Sequence, residues 1–139
     1  MYWILFLVMG SLVTFAFVKW EGWQKNKKME SAFAGRPPIS ATEFYERFFL
    51  VQGVSQEVIL GVRQVLEEQL GADLSRLVAT DDFSKNIGFF FEFDSMADVA
   101  IVCALEKKFS IKISDEEATT AHTIQDIVDL ISRKVKVRA

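Results

Sequence analysis

Asp94-Ser95-Met96 follows directly on "GFFFEF", residues 88–93, and sets a hydroxyl beside a carboxylate where the chain changes character. From Asp94 onward apolar residues recur at helical spacing, so Ser95 falls at a helix start. A serine there has two uses. It can cap the helix, for about 1 kcal/mol of stability, or it can stand exposed as a point of covalent modification. The other reactive side chains suggest no catalysis. His122 stands between two helices with no second ligand-type residue at metal spacing, so it reads as a turn residue. Cys103 lies mid-helix on an apolar stripe, where a packed thiol is expected. Glycine-rich phosphate loops, catalytic triads and paired carboxylates are all lacking, so an enzymatic reading has no residues to stand on.

The elements around Ser95 are helical. After it, Met96, Val99, Val102, Cys103, Leu105 and Phe109 mark the expected buried face of one helix. "SIKI" is short and extended, and Ser114-Asp-Glu-Glu117 is a capping box for a short helix that stops before His122. Thr123 caps the last helix, with Ile124, Ile127, Val128 and Ile131 facing inward. Upstream, Ser40 to Glu43 resembles a capping box and opens a short helix that carries Phe44, Phe48 and Phe49 and ends at Gly53. Ser55 opens a longer helix, with Val58, Ile59, Val62, Val65, Leu66 and Leu70 on one stripe and Gly71 as its stop. The long connection from Ala72 to Phe93 has Leu74, Leu77, Phe83 and Ile87 as anchors onto the core. The fold expected is all-α: three longer helices and one short one, with an extra short helix in front.

This order resembles the acyl carrier protein family, and the residues carry the resemblance further. "VLEEQLG" and a loop ending near "DDF" look like the family's first helix and loop entry. "DSMADVAIVCALEKKFSIKISDEEATTAHTIQDIVDLI" matches the family's D-S-L, its A-L-E-x-x-F helix end, its I-x-I-x-D-E-E-A segment and its final helix. The match covers roughly Gln56 to Ser132 and needs no gap from Asp94 onward. It implies that Ser95 carries 4′-phosphopantetheine, with Asp94 and Met96 as the flanking motif and Asp94 helping to orient the attachment. A phosphodiester at that position would lie near the positive end of a helix dipole. A separate phosphopantetheinyl transferase would supply metal and base for attack on coenzyme A, and the thiol arm would hold acyl groups as thioesters for partner enzymes. The carrier itself would do no chemistry.

Three departures from the family pattern stand out. Met96 replaces leucine, a near-neutral change in volume and polarity. Ala97 and Ala100 stand where carboxylates are common, leaving Asp98 and Glu106 as the acidic partner-binding residues. "FFFEF" replaces a single residue before Asp94. Some of Phe89, Phe90, Phe91 and Phe93 could cover the open end of the bundle, at roughly 150 Å² or more each, or stay exposed as a patch for a partner. Consecutive residues of an extended loop cannot share one side, so a mixture with at least two buried is expected. Phe89, Phe90 and Phe91 are thereby candidate partner-binding residues beside Ser95.

The ends of the chain bear on location. Met1 to Val18 contains no charged side chain, and as a helix it spans roughly 27 Å, just short of a hydrocarbon core of about 30 Å. Tyr2, Trp3, Trp20 and Trp23 suit the water interface, and Lys19 can snorkel. The segment lacks the basic leader of a cleaved signal peptide, so an uncleaved anchor is the preferred reading. Lys19, Lys25, Lys27, Lys28 and Arg36 all follow the span, which places the C-terminal domain on the cytoplasmic side of an inner membrane. A single cysteine fits a reducing compartment.

The expected organisation is an anchor over 1–20, a linker over 21–39 stiffened by Pro37-Pro38, and a helical domain over 40–139 with its core at 55–132. The formal charge of −3 hides an asymmetry: Ser55 to Ser132 carries net −9, and Arg133, Lys134, Lys136 and Arg138 return +4. An acidic body excludes nucleic acid as a partner. The sequence therefore reads as a membrane-anchored carrier of thioesters on Ser95. The alternative is an unmodified carrier-fold adaptor at the membrane.

Overall fold

The first helix, α1 (Tyr2–Ala32), runs through most of the segment expected to be a linker. This computed structural model describes residues 2–138, which divide into two compact units between Ala34 and Gly35. The helix continues past Glu21 because Glu21 to Ala32 is rich in Glu, Gln, Lys, Met and Ala, and no proline occurs before Pro37. Lys19 over the Phe15 ring at 4.8 Å and Lys27 over the Trp23 ring at 5.1 Å add contacts four residues apart. The helix ends in turns that close at Gly35, whose φ of 78° favours glycine. By length and composition α1 suffices to cross a membrane, and its apolar side chains from Tyr2 to Val18 are exposed.

The second unit contains α2 (Ala41–Phe48), α3 (Gln56–Leu70), α4 (Phe89–Phe93), α5 (Ala97–Phe109), α6 (Asp115–Thr120) and α7 (Ile124–Arg138), so the described residues are all-α as expected. Most of the expected caps are in place, although Ser55 at the start of α3 makes no side-chain cap bond. Ser40 Oγ accepts from the Glu43 amide at 3.1 Å, while the Glu43 carboxylate turns to Arg47. Gly71 closes α3 with φ 57°. Ser114 and Glu117 form a complete capping box, and Thr123 Oγ1 accepts from the Asp126 amide at 3.0 Å.

Helix α3 is the centre of the bundle, packed against α2, α5 and α7. Its stripe from Val58 to Leu70 is buried as expected, as are Ile124, Ile127, Val128 and Ile131 of α7. The face of α5 differs. Ala97, Ile101, Leu105 and Phe109 are buried at four-residue steps, whereas Met96, Val99 and Cys103 are exposed. "ADVAIVCAL" is apolar nearly all round, so periodicity alone left its phase open. Packing decides it: at Gly61 of α3 a Cβ would lie 2.6 Å from the Phe109 ring, so α5 approaches α3 along the line where α3 has no side chain.

The connection from α3 to α4 is pinned along its length. Leu74, Leu77, Phe83 and Ile87 are buried, as their spacing suggests. The Asp81 carboxylate, 1% exposed, accepts from Arg36 at 2.9 and 3.0 Å, from the Val78 amide and from Asn86 Nδ2. The Ile124 amide donates to the Asp81 carbonyl, and the Phe83 amide donates to the His122 carbonyl at 2.8 Å. These bonds tie the loop to the start of α7 and set where Phe83 stands.

Candidate functional site

The run "FFFEF" forms a single helical turn, α4, where the sequence left an aromatic loop. Phe89 and Phe90 are buried, with ring centroids 4.4 Å apart, and Phe91 is half-buried and stacked on Phe83 at 4.9 Å. At least two rings are thus internal, as expected. The exposed aromatic patch offered as the alternative is not present: Phe89 and Phe90 are removed from any docking surface, and Phe91 is partly so. The physical reason is that a helical turn directs neighbouring rings about 100° apart, so two can enter the core while the next covers its edge.

Asp94 ends α4 in an extended conformation and begins the turn into α5. Its Oδ1 accepts from the Met96 amide at 3.0 Å, and its carbonyl accepts from the Ala97 amide at 3.1 Å. This is an Asx-type turn, in which the carboxylate satisfies backbone donors at the helix start. The position next to the first helical residue is Met96, which has no side-chain bond to offer. Ser95 therefore does not cap α5, and the capping use of its hydroxyl is corrected: α5 has no side-chain cap, and Asp94 shapes the turn before it. Ser95 is exposed at the apex of the turn, and among the described residues its hydroxyl has no hydrogen-bond partner.

Met96 is 61% exposed and Asp98 is exposed one turn on, so both flank Ser95 at the surface. Glu106 is placed differently. It is half-buried, and its Oε2 accepts from the Ile113 amide at 3.0 Å, which anchors the extended "SIKI" segment.

A cleft of about 550 Å³ opens beside α5, lined by Phe83, Phe91, Val99, Val102, Cys103 and His122 among others. Its lining on α5 begins with Asp98 and Val99, three and four residues past Ser95. Cys103, expected to pack in the core, instead lines this cleft because the α5 face is rotated. His122 is exposed, with its backbone amide bonded to Asp126, and no metal-binding group of His, Cys, Asp or Glu occurs among the described residues. Nearby, the hydroxyl and amide of Ser84 hold the Asp82 carboxyl below the usual carboxylate range. Sequence reasoning named Asp94 as a flanking residue and took Phe83 only as a core anchor, so it missed Phe83 as part of the cleft wall. The Asp-Ser-Met order held the signal for Asp94, because Asp two residues before a backbone donor favours this turn.

Comparison with known proteins bears on these residues. The phosphopantetheine attachment site family matches residues 61–131. An acyl carrier protein of Thermosynechococcus vestitus is 33% identical over 79 residues, covering 57% of this chain and 93% of that protein. An acyl carrier protein of Guillardia theta is 36% identical over 80 residues, covering 58% of this chain and 94% of that protein. Both the site turn and the cleft fall inside the matched span.

Proposed function

Because this chain belongs to the acyl carrier protein family, whose members carry covalent phosphopantetheine and have no catalytic activity of their own, we propose that Ser95 is its attachment residue. The observation that carries this reading is the turn at Asp94: it leaves the Ser95 hydroxyl exposed and unengaged in helix capping. The Ser95 oxygen would attack the pantetheine-bearing phosphate of coenzyme A, the pyrophosphate bond would break with the 3′,5′-ADP portion leaving, and the transferase would supply the metal and the base that takes the serine proton. When attached, the arm supplies a terminal thiol that holds an acyl group as a thioester.

The rest of the site orients and shelters. Asp94 fixes the turn that sets Ser95 just before α5, where the positive end of the helix dipole would favour a phosphate. Val99, Val102 and the stacked Phe83 and Phe91 offer an apolar cleft within a few residues of Ser95, suited to keeping an acyl chain from water. Acyl-transferring or acyl-synthesising enzymes would read Asp98 and exposed Met96 around the arm.

The proposal includes location. Residues 1–20 anchor the chain in an inner membrane, with the domain on the cytoplasmic side, which raises its concentration at lipid-embedded partners without any new contact. The length and composition of α1 support this.

Intact-mass analysis of protein from cells tests the attachment. A phosphopantetheine-sized increment that disappears in Ser95→Ala is expected. An unmodified mass even with a broad-specificity transferase co-expressed would overturn it and leave the adaptor reading. Retention in the membrane fraction after an alkaline wash is expected of the anchor, and release into the supernatant would overturn that part alone.

A further inference from the structure

The C-terminal end of α7 plays no part in the attachment site, yet it gathers charge. Because α7 stays helical to Arg138, its Arg133, Lys134, Lys136 and Val137 come together with Ile111 and Lys112 around an open hollow of about 660 Å³. The hollow carries four cations and one carboxylate, Glu117, which pairs with Lys134 at 2.8 Å. Lys112, Arg133 and Lys136 have no ion pair among the described residues. Between them Val137 is 87% exposed. A cation at a helix C-terminus complements the macrodipole, but that accounts neither for Lys112, which comes from the segment after α5, nor for an apolar side chain held in water. This basic face contrasts with the net −9 of residues 55–132.

We propose that this face rests on an anionic bilayer surface, with Lys112, Arg133 and Lys136 at the level of the lipid phosphates and Val137 at the headgroup boundary. The proposal rests on the reading of α1 as a membrane anchor, which keeps such a surface within reach. An open rim of flexible stems suits a fluid array of headgroups, to which basic residues add attraction one by one. An acidic protein is the competing occupant, and the anchor favours lipid over it. Ser95 precedes α5 and Ser110 follows it, so thirteen helical residues, about 20 Å, separate the attachment site from this face. A docked domain would hold Ser95 clear of the headgroups.

The test uses the full chain in a Cys103→Ser background, where no other cysteine competes for label. A fluorophore is placed at Val137→Cys, or at Lys85→Cys in the loop tied to the other end of α7. Each protein is reconstituted into phosphatidylcholine vesicles, with or without phosphatidylglycerol, that carry a headgroup quencher. Quenching at position 137 is expected only on the anionic vesicles, with position 85 unquenched and the effect released by high salt. Changing Lys112, Arg133 and Lys136 together to Gln is expected to weaken the surface equilibrium about a hundredfold, from roughly fivefold per cation. Equal quenching on both vesicle types, or quenching that survives the triple change, would overturn the proposal. No quenching on either would also overturn it and leave an acidic protein as the occupant. Flotation with phosphatidylcholine vesicles reports the anchor separately. If flotation fails there, co-flotation with anionic vesicles alone, abolished by the triple change, still decides for the surface.

Discussion

Among single residues, Asp94 and Ser95 divide two tasks that one serine could have performed. Asp94 accepts the Met96 amide and shapes the turn, which leaves the Ser95 hydroxyl free for the attachment proposed above. Asp94→Ala is expected to slow transferase modification of Ser95 severalfold while costing at most about 1 kcal/mol of stability, because the site is exposed. Asp94→Asn keeps the accepting oxygen and should restore the turn. Initial modification rates and denaturant melts of both variants measure the two effects. Equal slowing in Asn and Ala would show that the charge, rather than the turn, matters to the transferase. The candidate serine was legible from its neighbours, since Asp-Ser-Met sits at matched spacing to "ALEKKF" and "SDEEA". Its freedom from capping was not legible, because serine and aspartate are about equally good caps and only the backbone geometry chooses between them.

Whole elements show where patterns suffice and where they do not. The stripes of α3 and α7 were readable because each has a polar face that fixes the phase. Helix α5 lacks one, and its rotation is set by close approach to α3 at Gly61. Gly61→Ala would place a methyl 2.6 Å from the ring of Phe109 and 2.9 Å from Lys108 Cε. The lysine can swing away, but the Phe109 ring is buried. A loss of about 1–3 kcal/mol and a lower Tm are therefore expected, read by calorimetry. An unchanged Tm would show that α5 shifts freely on α3. The turn α4 belongs at this scale too. Four phenylalanines in five residues give no helical stripe, and burial of Phe89 and Phe90 follows from a core edge that the loop and α5 create.

Across the molecule, charge sorts into regions: a basic flank on α1, an acidic body, and a basic end on α7. Among the described residues, the pair of Lys134 with Glu117 joins the last two. The Lys134 ammonium, followed by the Ser114 amide, lowers the Glu117 carboxyl from 4.5 to about 2. A carboxyl with a lowered folded-state pKa stabilises the fold at pH above its unfolded value, and that contribution disappears as pH falls through the folded value. The Glu117 contribution is thus complete above about 4.5 and is lost toward about 2. Denaturation across that range should show Glu117→Gln less stable than the parent at neutral pH, with the two converging in acid. Parallel curves would mean that Lys134 finds another partner.

The sequence by itself determined the helical class, the caps at Ser40, Ser114 and Thr123, the anchors of the long loop, the apolar N-terminal span and the serine just before α5, because each rests on residues close together in the chain. Only the tertiary structure decided the rotation of α5, the burial of the aromatic turn, the placement of Cys103 in a cleft and the gathering of Lys112 with the end of α7. Those outcomes depend on which surfaces meet, and local spacing carries no information about a neighbour that lies far away in sequence.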